Sequence, residues 1–187
     1  MSLSLDLFEG SGDCISFVSP APAPAPKSPG NRRRGPRPSA EGLALSAYDR
    51  VISLAAGPDV NVAPARTGLT GLDSFFWVDG PAPISATARA PGLTVTAEAR
   101  PIRYLWDFGD GNRTSTAHPG RPWTPRRPGN APHLYETKGR YTVAAEVVWA
   151  ARWRVNGGPW RDLGYFSTSG STDYPVREMV AVLVRRR

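Results

Sequence analysis

The chain has 187 residues, 23 basic and 16 acidic side chains, a net charge of +7 and 40% hydrophobic residues. That length holds one domain with a real core plus a tail, and six Trp, six Tyr and six Phe exclude a wholly disordered chain. The single cysteine, Cys14, excludes an internal disulfide, and no run approaches the ~20 apolar residues of a membrane-spanning helix.

Apart from Lys27 and Lys138, every basic residue is Arg. Together with 20 Pro and 19 Gly, this follows the codon usage of a GC-rich bacterial genome, so basicity alone does not establish anion binding. Residues 1–38 read as a disordered Pro/Ala/Arg-rich tail or linker. Its run "SPAPAPAPKSPGNRRRGPRP" cannot bury a core and favours polyproline II, at roughly 3 Å per residue a spacer of about 60 Å. Arg32–Arg34 read as solvated linker charge. Asp6 and Glu9 stand where a signal peptide carries its basic region, and proline breaks the apolar run that follows. No signal peptide is therefore expected in the chain as written.

Residues 39–57 predict one amphipathic helix. Leu43, Ala44, Ala47, Tyr48 and Val51 recur at three- and four-residue steps, Ser39 is a suitable N-cap, and Gly57–Pro58 ends the pattern. Its polar face carries little positive charge, so it is expected to pack on the domain rather than on a membrane.

From Asp59 the texture changes to short alternating runs between turn residues, which predicts an all-β domain over 59–187. Candidate strands are "DVNVAP", "SFFWV", "ISATARA", "LTVTAEA", "IRYLWDF", "HLYE", "RYTVAAEVVWAARWRV", "WRDLGYF" and "YPVREMVAVLV". In "IRYLWDF", Ile102, Tyr104, Trp106 and Phe108 are expected on the buried face, with Arg103 and Asp107 opposite. The run from Tyr141 to Val155 alternates throughout and is long enough to require a bend or bulge. "VNGGPW" then supplies the Asn-Gly turn of a hairpin. Roughly eight short antiparallel strands predict a β-sandwich.

Three segments carry a family resemblance. Trp106-Asp107-Phe108-Gly109-Asp110-Gly111 is followed by His133-Leu134-Tyr135 and then by Gly139-Arg140-Tyr141-Thr142-Val143. This resembles the polycystic-kidney-disease (PKD) domain, with its W-D-F-G-D-G, H-x-Y and G-x-Y-x-V segments, over about residues 83–150. The resemblance implies an immunoglobulin-like antiparallel β-sandwich that binds, adheres or spaces without catalysis. The flanking "GLTGLDSFFWV" and "WAARWRVNGGPWRDLG" resemble small secreted or envelope-attached PKD proteins of GC-rich bacteria, which implies an extracellular or cell-envelope place. The implied partners are another protein or a surface glycan rather than nucleic acid. A cytoplasmic place is the alternative, given the N-terminus.

The residues allow the same reading on physical grounds. Trp106 and Phe108 would fill the core, each ring burying on the order of 150–250 Å². Gly109 and Gly111 permit positive φ, and Asp110 between them would accept backbone N–H groups in a turn. Asp107 faces outward, towards solvent or an Arg. Tyr141 is placed to act as a tyrosine corner, its hydroxyl tied back to a loop. A catalytic carboxylate pair and a Ca²⁺ site are the sharper alternatives for Asp107 and Asp110, but the spacing is not that of an EF-hand. His118 and His133 are the only histidines, so no transition-metal set is visible and no cofactor is expected. His133 is expected to hydrogen-bond within the sandwich.

Recognition is sought instead in the loop Gly111–Pro132, which is longer than structureless loops usually are. It carries Trp123 with Arg121, Arg126 and Arg127, an aromatic among guanidiniums suited to sugar rings, bases or carboxylates; the alternative is a flexible Pro-rich loop with Trp123 folded onto the sheet edge. A second interleaved set, Trp149, Arg152, Trp153, Arg154, Trp160 and Arg161, is expected to stiffen a hairpin by cation–π contact. A basic protein that binds nucleic acid or another anionic polymer is the alternative function, supported by a pI near 10.2.

Overall fold

The computed structural model describes residues 38–179. The Pro-rich tail, with Cys14 and Arg32–Arg34, and the chain beyond Met179, with Arg185–Arg187, lie outside the described residues. Helix α1 spans Ala40–Leu54 and starts where its cap dictates: the Ser39 hydroxyl oxygen accepts the Gly42 N–H at 3.0 Å. It ends before Gly57–Pro58, because the Ala55 N–H turns back onto the Val51 and Ile52 carbonyls, both at 3.1 Å. Ala44, Ala47 and Val51 form its buried face.

Two sheets follow. The smaller contains β1 (Val60–Ala63), β3 (Asp73–Val78) and β7 (Pro132–Leu134) in the order β1-β3-β7. The larger contains β2 (Gly68–Leu69), β9 (Arg161–Arg177), β8 (Gly139–Val155), β5 (Leu93–Asp107) and β4 (Ile84–Ala90) in that order, with β6 (Arg113–Thr116) also paired to β5. The sandwich expected from the sequence is present. It departs from a purely antiparallel arrangement at one place, since β2 runs parallel to β9.

The strands are also longer than expected. β5 has 15 residues, and β8 and β9 have 17 each. The two runs "LTVTAEA" and "IRYLWDF" are one strand, continuous through Pro101, because a bulge absorbs the break. Pro101 pairs with Trp149 and Arg103 with Val148, so Ile102 is the extra residue. Ile102 is consequently 44% exposed and does not join the buried face predicted for it. Tyr104, Trp106 and Phe108 do, as expected. A second bulge lies on the other side of β8. Ala151 pairs with Gly164 and Arg152 with Asp162, leaving Leu163 over. "WRDLGYF" and the start of "YPVREMVAVLV" are likewise one strand, β9. The β8–β9 turn is the Asn-Gly turn expected, with φ of 46° at Asn156 and 74° at Gly157 and a 2.8 Å bond from the Gly158 N–H to the Val155 carbonyl.

The two bulges lie three residues apart along β8, one beside Val148–Trp149 and one beside Ala151–Arg152, and the inner face divides near them. Below them the three-stranded sheet covers the face, and Phe76, Val78, Trp106, Phe108, Tyr135, Val143, Val147 and Tyr174 are buried there. Above them α1 covers it, with Ala44, Ala47 and Val51 packed towards Val95, Ala97 and Ala99 of β5. Alanine on both sides is what lets helix and sheet approach. Trp149 stands at the junction, stacked on Phe166 with centroids 5.9 Å apart, and Phe166 in turn meets the edge of Tyr48 from α1.

Candidate functional site

The motif turn is built from the end of β5. Asp107 accepts the Gly109 N–H at 3.0 Å and the Arg113 guanidinium at 2.8 Å. The Gly109 N–H bond, supported by Arg113, holds its carboxyl below the ordinary carboxylate range. Asp110 accepts the Asn112 N–H at 3.0 Å and lies 2.7 Å from the Nε2 of His133. Burial pushes this carboxyl up, but the bonds from the Asn112 N–H, His133 and the Asn112 side chain outweigh it and leave it lowered. Both carboxylates are thus engaged in holding the turn.

The three motif segments converge on one aromatic column. Phe108 stacks on His133 with ring centroids 3.9 Å apart, and His133 meets the edge of Tyr135 at 4.6 Å. Tyr135 stacks on Tyr141 at 4.4 Å. The Tyr135 hydroxyl donates to the Phe108 carbonyl at 3.0 Å, closing the column from the far side. Burial raises the Tyr135 phenol well above its ordinary value, so it stays a donor throughout the working pH range. Tyr141 is the corner expected, donating to the Thr137 carbonyl at 2.8 Å. Gly139 precedes it where a Cβ would come within 3.3 Å of the Tyr141 ring, and Val143 is fully buried. The motif residues therefore assemble a structural joint between the two sheets.

The Gly111–Pro132 segment is not structureless, as the sequence suggested. β6 occupies its start, and main-chain bonds pin the remainder to β3: the Val78 N–H donates to Pro119 at 2.8 Å and the Phe76 N–H to Ala131 at 2.9 Å. Thr124 and Arg127 exchange both main-chain bonds and close its tip. Arg121 donates to the Pro128 carbonyl at 2.9 Å, so its guanidinium braces the loop. Trp123 is 44% exposed, and Arg126 and Arg127 are exposed beside the closed tip.

The second aromatic–arginine set divides. Arg152 and Arg154 both stack on Trp160, 4.3 and 4.5 Å from its ring centroid, while Arg161 covers the buried Trp153 at 5.2 Å. Trp149 faces the core and takes no part. On the outer face of the large sheet, a groove of about 640 Å³ runs over Leu105, Ala144 and Glu146 beside β6. The same face continues across the β5 bulge. There Arg100 of β5 lies across Ala150 of β8 from Tyr165 of β9, and Arg103 lies across Val148 from Ser167. This row is not legible from the residues alone, because Pro101 and Ile102 hide the bulge that puts Arg100 and Arg103 on one face.

Residues 81–152 match the family model of the PKD domain. The PKD segment runs from just before β4 to near the end of β8 and so contains the turn, the histidine and the tyrosine corner. It leaves α1, the strands β1–β3 and all of β9 outside. PKD domains are immunoglobulin-like modules without catalytic activity of their own, and the sandwich around the aromatic column agrees with that assignment. No curated protein matches the chain. Among the described residues, no helix is long and apolar enough to cross a membrane.

Proposed function

We propose that this protein is a non-enzymatic binding or spacer module of the bacterial exterior or cell envelope. The Pro-rich segment before α1 would hold it away from an anchor or neighbour. The observation that supports this best is the use made of the motif. Asp107, Asp110 and His133, the groups from which a catalyst would be built, are committed to bonds within the joint. Contact with a protein or glycan partner falls to the exposed end of the pinned loop, where Trp123 offers an aromatic face beside Arg126 and Arg127. Labelling intact cells with a membrane-impermeant amine or tyrosine reagent tests the placement. The protein is expected in the labelled or culture-medium fraction. Recovery only from the unlabelled cytosol would refute it.

A further inference from the structure

Around the two bulges the outer sheet face carries an arrangement that the joint does not use. β8 presents Arg154, Arg152, Ala150 and Val148 outward in succession, with Arg100 and Arg103 on one flank and Tyr165 on the other. Neighbouring strands lie about 4.8 Å apart, so Arg100 and Tyr165 are walls on the order of 10 Å apart over an alanine floor. That width suits one sugar ring. Tyr165 is 72% exposed, and among the described residues Arg100, Arg103 and Arg154 have no carboxylate within ion-pairing distance. Arg154 is nonetheless held in place, because its guanidinium shares the Trp160 ring with Arg152. Arg152 is itself tied to Glu98 at 3.0 Å. Pinning an unpaired guanidinium against a like charge serves an incoming anion better than it serves the fold.

We infer that this trough binds an acidic polysaccharide, a sugar chain with carboxylates spaced along it, lying parallel to β8 with a ring against Tyr165 and carboxylates on Arg100, Arg103 and Arg154. The choice of an acidic glycan follows from the charges mixed into the same face. Glu98 and Asp162 stand in the row next to Arg100, paired across Arg152. A duplex nucleic acid carries about one charge per 1.7 Å of axis and would meet these carboxylates as repulsion. A sparsely charged sugar chain instead offers them hydroxyl donors.

The test uses the full chain and isothermal titration with polygalacturonate, neutral dextran and duplex DNA as probes. Polygalacturonate is expected to bind, dextran not to bind, and DNA to bind more weakly. Arg100→Gln with Arg103→Gln, and separately Tyr165→Ala, should each weaken polygalacturonate binding by about tenfold or more. These side chains are exposed, so the melting temperature should hold. Arg50→Gln with Arg66→Gln, exposed and outside both the trough and the loop, should leave the affinity unchanged. Absence of binding overturns the inference. So does an equal loss from that control variant, which would mean unspecific charge attraction, and so does tighter binding of DNA. Each outcome is independent of where in the cell the protein is found.

Discussion

Two glycines two residues apart, Gly109 and Gly111, differ in what surrounds them, and that difference can be measured. Gly109 has φ of 78° and Gly111 has φ of 93°, both in the region that a Cβ resists. A Cβ at Gly111 would meet nothing within 4 Å, whereas one at Gly109 would lie 2.6 Å from the Thr142 carbonyl oxygen and 3.0 Å from its nitrogen. Gly111→Ala therefore carries only the conformational cost, roughly 1–2 kcal/mol. The loss of unfolded-state freedom returns about 0.4–1 kcal/mol, so the net effect is about 1 kcal/mol. Gly109→Ala adds an overlap with strand backbone that no rotamer can relieve, on the order of 1–3 kcal/mol as for overpacked cores, for about 2–4 kcal/mol in all. At about 2–4 °C per kcal/mol for a chain of this size, thermal unfolding should fall by about 2–4 °C for Gly111→Ala and about 4–16 °C for Gly109→Ala. Equal shifts, or a larger one at Gly111, would refute the claim that the motif turn is pressed onto β8.

Asp110→Asn should cost about 1.5–3 kcal/mol at pH 7, as charge-assisted bonds to the Asn112 N–H and His133 are weakened. The folded carboxyl lies below its unfolded value of about 3.9, so its stabilisation is complete above that pH and fades as pH falls through the folded value. Urea unfolding from pH 7 to pH 3 should accordingly show the gap between wild type and variant narrowing below about pH 4; a constant gap would remove the charge from the explanation. Ala47→Leu places three more carbons where α1 meets the sheet at a residue only 1% exposed. A loss of about 1–3 kcal/mol in urea unfolding is expected. Unchanged stability would mean that α1 does not pack as described.

The sandwich was legible because its buried residues alternate at a period of two wherever the strands are regular. Val143, Ala145, Val147, Trp149, Ala151 and Trp153 announce β8 without help from anything else, and all are buried. The register failed at Pro101–Ile102, where proline looks like a strand end but a bulge carries the ladder past it. β6 and the middle of β9, "RTST" and "STSGSTD", escaped notice because small polar residues on an edge have no apolar period to read. The pinning of the Gly111–Pro132 loop rests on β3 N–H groups donating to loop carbonyls, main-chain bonds that leave no mark on side-chain identity. The motif itself told the fold truly, since its aromatics must meet to be buried. It named no ligand, for its polar groups are spent on one another.

The placement of α1 has a consequence for how this protein may be cut. A fragment limited to residues 81–152 would keep the joint's turn, histidine and tyrosines but lose the helix, β1, β3 and the β9 partner of β8. Val95, Ala97 and Ala99 would then lie open to water along one side, and β8 would end as a bare 14-residue edge, an invitation to pair with its own kind. The segment by which the family is recognised is thus smaller than the smallest piece that could be expected to stay soluble alone, and dissection should begin no later than Ser39.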